Sequence, residues 1–333
     1  MSQWPRSGTG DRLTENQADR CCPRFSYRMA GLCVLSDLEL TGAIPFHGSP
    51  SEDFVRVRQC EVPEHLPAPS LQGPNWELDA TRLLLRVPSL GRFLVSDGRM
   101  LDVEPAPDSS LEEMLPFVLG SGIGAILYQR GGMVLHAASV AVNGQAYAFC
   151  GPSGAGKSTL AAALCGAGCD FVSDDVLAVS LDRDGRPVIW PDGRQLKLFK
   201  TSIASLGLEG ARGKEVRSGL GKHYVESPGG CVSEPLPLRS VFVLRDARPP
   251  YTPGLERLSP VDAAQALTNE SYRPRLASAL TSPARRVGLT GSILRHTSVF
   301  YLTRTRNLDL LGETAAGLCE IWRDAQAGPP HPC

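Results

Sequence analysis

The sequence predicts an α/β protein. Residues 128–328 form its main domain, built on a mixed β-sheet; a smaller α+β or β-rich subdomain over residues 26–127 and a flexible tail over residues 1–25 precede it. Three observations lead there. A glycine-rich octapeptide, residues 151–158, lies between a strand-like run and an Ala- and Leu-rich helical run. Asn143-Gly144 and Asp184-Gly185 put hairpin turns on both sides of it. The first half shows only short strand-like runs broken by Pro- and Ser-rich stretches.

The chain has 333 residues, 42% hydrophobic and 21% charged, with a formal net charge of -1. That is the composition of a globular protein. It gives no electrostatic reason to expect nucleic acid or an anionic membrane as partner. Ten cysteines include no C-x-x-C pair, so a reducing, cytoplasmic setting is expected. The polar N-terminus lacks the apolar core of a signal peptide. The longest nearly apolar run, residues 114–128, is short of the ~20 residues a bilayer span needs and reads as a buried helix or loop.

In the first half, strands are expected near residues 31–35, 55–57, 83–87 and 92–95. Asp97-Gly98 turns the last of these towards a partner at 100–103, and residues 62–74 and 105–110 read as loops. In the second half, residues 140–142 and 145–150 pair across Asn143-Gly144. A helix follows over 159–165, ended by Gly166 and Gly168. A strand at 171–172 meets Asp174-Asp175, and residues 176–181 continue extended into the Asp184-Gly185 turn. Further strands are expected at 240–244 and 298–302, with a helix starting at Ser259-Pro260. Leu308, Leu311, Ala315, Leu318 and Trp322 recur at helical spacing and predict a closing amphipathic helix packed on the core.

The octapeptide Gly151-Pro152-Ser153-Gly154-Ala155-Gly156-Lys157-Ser158 fits G-x-x-x-x-G-K-[ST] at every required position. Glycines let successive N–H groups point into one concavity, and the helix N-terminus adds partial positive charge there. Gly151 through Ser158, with Thr159, are therefore expected to cradle ATP. Lys157 reaches the β- and γ-phosphates, and the Ser158 hydroxyl ligates Mg²⁺. Asp174 and Asp175 follow one helix later, where one carboxylate can hold the dication and the other accept a hydroxyl proton. Hairpins on both sides imply antiparallel pairs beside the loop, unlike the parallel β-α-β unit usual around such loops.

The segment Leu135-His136-Ala137-Ala138-Ser139, the octapeptide with Cys150 and Thr159, and Ser173-Asp174-Asp175 together resemble the catalytic core of HPr kinase/phosphorylase. His136 precedes Lys157 by 21 residues, and the two aspartates follow it by 17 and 18. The resemblance implies a mixed-sheet P-loop kinase core related to phosphoenolpyruvate carboxykinase. It implies that Lys157 polarises the transferred phosphoryl group, Ser158 and Asp174 serve the metal, Asp175 takes the substrate proton, and His136 sits beside them. HPr kinases assemble as rings, which leaves a homo-oligomer open. The family's second signature, Arg-Gly-x-Gly-Ile, is absent at the corresponding distance. There the chain reads Trp190-Pro191-Asp192 and then Leu196-Lys197-Leu198-Phe199. The stretches Gly91-Arg92-Phe93-Leu94-Val95 and Gly120-Ser121-Gly122-Ile123-Gly124 resemble the wider group of HPr-kinase-like proteins, some of which are kinases that tailor lasso peptides.

Positive charge for the equatorial oxygens is expected from the Gly-rich stretch 207–221, read as a mobile loop over the site, with Arg217 and Lys222 favoured. The expected function is an ATP- and Mg²⁺-dependent serine kinase acting on a hydroxyl of a protein, peptide or small molecule. The alternative is a nucleotide-binding regulator with little or no transfer. A carboxykinase is disfavoured because no His/Lys/Asp set for a second cation stands out in the sequence.

Overall fold

The computed structural model describes residues 23–49, 53–217 and 219–327. The tail expected over residues 1–25 lies outside these up to residue 22, and its last residue, Phe25, already opens a strand.

The first half is one twisted sheet of eight strands. They are β1 (Phe25–Met29), β2 (Leu32–Ser36), β3 (Phe54–Gln59), β4 (Leu71–Gly73), β5 (Trp76–Leu78), β6 (Arg82–Val87), β7 (Gly91–Ser96) and β8 (Met100–Pro105). Their order is β1-β2-β3-β8-β7-β6-β5-β4. The two pairs that β3 makes are parallel, and the rest are antiparallel. Asp97 and Gly98 both take positive φ, as the hairpin between β7 and β8 demands. Along β7, Phe93 and Val95 turn into the core and their neighbours turn out, the period of two that holds register. The stretch 62–74, expected as loop, ends in the short edge strand β4. Val62 and Leu66 from it are buried under Leu84, apolar anchors that a Pro-rich composition conceals.

A helical segment then crosses the sheet. Helix α1 (Leu111–Phe117) starts at a capping box between Ser110 and Glu113. It passes through a π-helical turn at Val118–Gly122 into α2 (Ile123–Gln129). Pro116 lies inside α1 and brings no backbone N–H, consistent with the loosened ladder that follows it. The whole segment, Leu111–Gln129, is long and apolar enough to cross a membrane, yet 72% of its most apolar window is buried within the protein. It behaves as the buried helix the sequence suggested.

The second half carries strands β9 (Met133–Leu135), β10 (Ala138–Val142), β11 (Gln145–Cys150), helix α3 (Lys157–Gly166), β12 (Asp170–Asp174), β13 (Leu177–Leu181) and β14 (Pro187–Ile189). Next come β15 (Leu196–Phe199), α4 (Lys200–Ser205), β16 (Arg212–Glu215), β17 (Lys222–Val225), β18 (Leu236–Asp246) and β19 (Gly254–Arg257). Helices α5 (Pro260–Asn269), α6 (Pro274–Leu280) and α7 (Pro283–His296) lead to β20 (Ser298–Arg304) and α8 (Leu311–Ala327). The main sheet runs β12-β10-β11-β18-β20-β19 at one end of the long strand β18 and continues through β14-β13-β9 at its other end. It is mixed: β10 is antiparallel to β11 and β12, whereas β18 is parallel to β11 and β20.

Strand β11 shows why both faces are covered. Tyr147 and Phe149 point to one side, where Trp322 of α8 stacks on Tyr147 at 4.1 Å between ring centroids. Ala146, Ala148 and Cys150 point to the other, where α5 and α7 pack closely because the strand's side chains are small. The first sheet's core also takes in Val134, Val176, Ala178, Trp190 and Tyr272, so residues from both sides of position 128 share one apolar layer.

Three expectations need correction. Residues 176–181 do not simply extend β12: Asp175 has φ 81°, and the chain swings away so that β13 pairs with β9 and β14. Leu308 stands before α8 and is 38% exposed, so it is no part of the packed face. The stretch 207–221 is not a plain loop. It holds a short 3₁₀ turn at Glu209–Ala211 and strand β16, which joins β15 and β17 in a small antiparallel sheet. Glycine counts overstate mobility where neighbouring residues can find a strand partner.

Candidate active site

One cavity of about 930 Å³ receives most of the expected residues. Gly151 through Thr159, His136, Asp174, Asp175 and Lys222 all line it. Strand β11 enters the loop at Gly151, and α3 leaves it at Lys157. Gly154 and Gly156 sit at φ 81° and 86°, where a side chain would be strained. A Cβ on Gly156 would also meet Arg304 Nη2 at 2.6 Å. Gly156 caps α3 without a side-chain acceptor, so the helix's first N–H groups have no such partner. Lys157 is buried and donates to the loop's own carbonyls, Gly151 O at 2.7 Å and Pro152 O at 3.3 Å. Burial pulls its ammonium below the usual lysine range, against the opposing influence of Cys150, Glu270 and the two aspartates.

The two aspartates part company at the turn. Asp174, at the end of β12, is almost fully buried. Its Oδ1 accepts from Ser158 Oγ at 2.6 Å and its Oδ2 from Lys197 N at 2.9 Å. Burial pushes its carboxyl up, further raised by Asp175, and the Ser158 hydrogen bond offsets only part of this. The left-handed backbone at Asp175 aims that side chain elsewhere, into the cavity. There Lys197 Nζ lies 3.1 Å from Oδ2, and His136 Nε2 lies 3.3 Å from Oδ1. Burial would raise the Asp175 carboxyl, but the charges of Lys197, Arg194 and His136 with its hydrogen bond outweigh it and hold the group well below the usual carboxylate range. Adjacent carboxylates pushed in opposite directions are a recurring mark of a division of labour.

Behind them stands a support that sequence reasoning missed. Asp192 Oδ2 accepts the Asp174 N–H at 3.2 Å, and its Oδ1 pairs with Arg194 Nε. Arg194 donates onward to Leu119 O at 2.6 Å, within the π-helical turn. Both residues are buried. Burial raises the Asp192 carboxyl against the pull of Arg194, and for Arg194 the attraction of Asp192 more than offsets the burial. Lys197 likewise stays above its usual range because Asp175 outweighs desolvation.

Glu270, at the end of α5, ties two parts of the rim together. Its carboxylate accepts the Gly151 N–H at 2.9 Å, and its carbonyl accepts the His136 N–H at 2.8 Å. Arg304, at the end of β20, donates to Ala155 O at 2.8 Å, and with Arg306 it brings cationic charge to the wall beside the loop. Thr159 Oγ1 lies 3.0 Å from Ser202 Oγ and so anchors α3 to α4. Lys222 lies at the cavity with its ammonium 4.9 Å from the Phe199 ring centroid. Arg217 does not line the cavity; its charge is felt at Glu113 in α1. Val216, Leu220 and Lys222 of the same hairpin do line the cavity, so the hairpin reaches the site while the Arg217 charge lies on its α1 side.

Lys197 was the most legible of the missed residues, a lone cation inside the alternating run Leu196-Lys197-Leu198. Asp192 and Arg194 flank Gly193 after a proline, which reads as an ordinary turn. Glu270, Arg304 and Arg306 carry no local signal, because only tertiary folding brings them to the loop. His136, Asp175 and Lys197 come together beside the loop, a grouping that the sequence did not show. Lys197 is held charged beside Asp175, which makes it a counter-ion there and leaves it no lone pair for a metal. Among the described residues, no group of three or more His, Cys, Asp or Glu side chains is arranged to hold a metal ion.

No family model and no curated protein matches the chain. Among solved structures, the Hpr(Ser) kinase/phosphatase from Coxiella burnetii is similar at 15% identity, covering 57% of this chain and 98% of that one, with a TM-score of 0.30. A score that low carries nothing about the chemistry of this chain.

Proposed function

We propose that the chain is an ATP- and Mg²⁺-dependent kinase that transfers the γ-phosphoryl group to a serine-type hydroxyl of a protein, peptide or small molecule in a reducing, cytoplasmic setting. One observation carries the reading: Ser158, Asp174, Asp175, His136 and Lys197 converge within hydrogen-bonding reach of one another at the mouth of the glycine loop.

The donor set suits Mg²⁺, a hard cation that takes one or two protein oxygens and completes its shell with water and phosphate. The Ser158 hydroxyl and the Asp174 carboxylate would hold it, and when bound it neutralises charge on the β- and γ-phosphate oxygens. The loop N–H groups and the start of α3 bind the triphosphate. Lys157 exchanges its contacts with Gly151 O and Pro152 O for phosphate oxygens. Arg304 and Lys222, both lining the cavity, add positive charge. Asp175, aimed into the cavity by its backbone, orients the acceptor hydroxyl and takes its proton. A bond forms between that oxygen and the γ-phosphorus, the bond to the β,γ-bridging oxygen breaks, and ADP leaves with the electron pair.

Replacing Asp175 by Asn tests this. Transfer should fall by about 10²–10⁴-fold, with ATP binding retained; transfer at the wild-type rate removes Asp175 from the role of base. A second reading, a nucleotide-binding regulator with little or no transfer, draws on the same residue. Both Asp175 oxygens are engaged, one by the Lys197 ammonium and the other by His136 Nε2, which lowers basicity. Phosphate released only as orthophosphate, whatever acceptor is supplied, would favour that reading.

A further inference from the structure

A second cavity of about 650 Å³ adjoins the first and shares Phe117, Arg273 and Pro274 with it. Its outer wall belongs to the first half of the chain: Trp76 of β5, Leu85 and Val87 of β6, and the proline-flanked turns beside them. Leu276 of α6 lines it as well. These apolar side chains are half-buried, packed against the first sheet's core and lining the cavity.

Its charge is one-sided. Arg86, Arg273 and Arg275 line the cavity, and among the described residues no aspartate or glutamate does. Arg86 is already engaged by Glu77 at 2.7 Å. Arg275 is exposed and makes no ion pair among the described residues. Arg273 lies against the Tyr272 ring, its guanidinium 5.8 Å from the centroid, with no carboxylate partner among the described residues. Arg273 also holds φ 49° and ψ 68°, a left-handed conformation strained for a residue of its size. The strain falls at the junction of the two cavities, directly after the pocket-lining residues Glu270, Ser271 and Tyr272.

We propose that this second cavity is the acceptor site: an acidic peptide lies across it, its apolar side chain against Trp76, Leu85 and Val87, a carboxylate on Arg273 and Arg275, and its serine passing Phe117 to reach Asp175. The proposal rests on the kinase reading for its chemistry and on the cavity alone for its binding preference. It assigns the first half a task, acceptor recognition, separate from nucleotide binding. Arg275 contributes to affinity through charge and takes no part in the transfer.

The test uses the full chain and two pools of fluorescein-labelled, C-terminally amidated peptides, each with a single serine beside an aromatic or aliphatic residue. One pool has Asp and Glu at the remaining positions, the other Lys. Fluorescence anisotropy should show the acidic pool binding about tenfold more tightly or better. Arg275→Glu should abolish or invert that preference while leaving the binding of a fluorescent ATP analogue unchanged. Equal binding of the two pools by the wild type, or an unchanged preference in Arg275→Glu, overturns the proposal. The same pools with Mg²⁺ and γ-labelled ATP then separate the two readings. Acidic peptides that bind and take up label support both. Acidic peptides that bind without taking up label sustain the docking site and sink the kinase reading.

Discussion

The two halves of the molecule both bury carboxylates, and they treat them in opposite ways. In the first sheet each acid is closed off by its own partners. Glu77 accepts from Leu66 N at 2.7 Å and pairs with His65 and Arg86 at 2.7 Å each. Asp102 meets Arg58 through two bonds, and Glu104 is held by Val62 N and Arg92. In the second half Asp174, Asp175 and Asp192 lie within one connected cluster and share Lys197, Arg194 and Ser158. The physical outcome differs accordingly. Glu77, with hydrogen bonds from Leu66, His65 and Arg86 outweighing its burial, is drawn down to about 2. Asp174 and Asp192 are pushed up, because burial exceeds what their shared partners return. A saturated carboxylate staples strands; a crowded, under-compensated one is poised to take a cation.

The comparison breaks at its largest point if Asp175→Asn, expected to lose about 10²–10⁴-fold of transfer, also unfolds the protein. Its side chain is 31% exposed but pairs with the buried Lys197 ammonium, so loss of that counter-ion should lower the denaturation midpoint without unfolding the protein. The next largest effect is on stability. Removing the Arg194 side chain, as in Arg194→Ala, leaves Asp192 buried without its cation and should cost about 3–5 kcal/mol in urea denaturation. A loss under about 1 kcal/mol would show that the cluster is not under the electrostatic tension described.

A smaller effect sharpens the contrast through pH. The folded value of Glu77 lies below its ordinary 4.5, so its contribution to stability is present above that pH and lost as pH falls towards about 2. Glu77→Gln should therefore flatten the acid limb of the stability curve between those values and leave transfer at neutral pH untouched. An acid limb identical to the wild type would contradict the staple. The smallest effect is expected at Lys214, which faces Glu112 at 3.9 Å with both side chains about three-quarters exposed. Lys214→Ala should change stability by no more than about 0.5 kcal/mol, which sets the floor against which the buried pairs are judged.

Local rules made much of the second half legible. Asn143-Gly144 can hardly be anything but a tight turn, Ser259-Pro260 is a helix start, and the glycines between strand and helix bend the chain into a loop, with Gly154 and Gly156 at positive φ. In the first half, short amphipathic runs located most strands but not their order. The parallel pairs around β3 join segments far apart in the chain, and no local propensity encodes that. Arg217 illustrates the same limit from the other side. Its charge suited a phosphate site, but Arg217 does not line the cavity and its charge acts on Glu113 of α1.

What the order of residues settles is whatever depends on neighbours within a turn or two: the hairpins, the helix caps, the loop at residues 151–158 and the pairing of Asp174 with Asp175 in the chain. What it leaves to the folded state is every relation carried across the sheets. Lys197 beside Asp175, Glu270 on Gly151, Arg304 under Ala155 and Arg194 reaching the π-helical turn join residues 22, 119, 149 and 75 positions apart. Such contacts become favourable only once burial removes the competing water, and burial belongs to the packed sheets rather than to any segment.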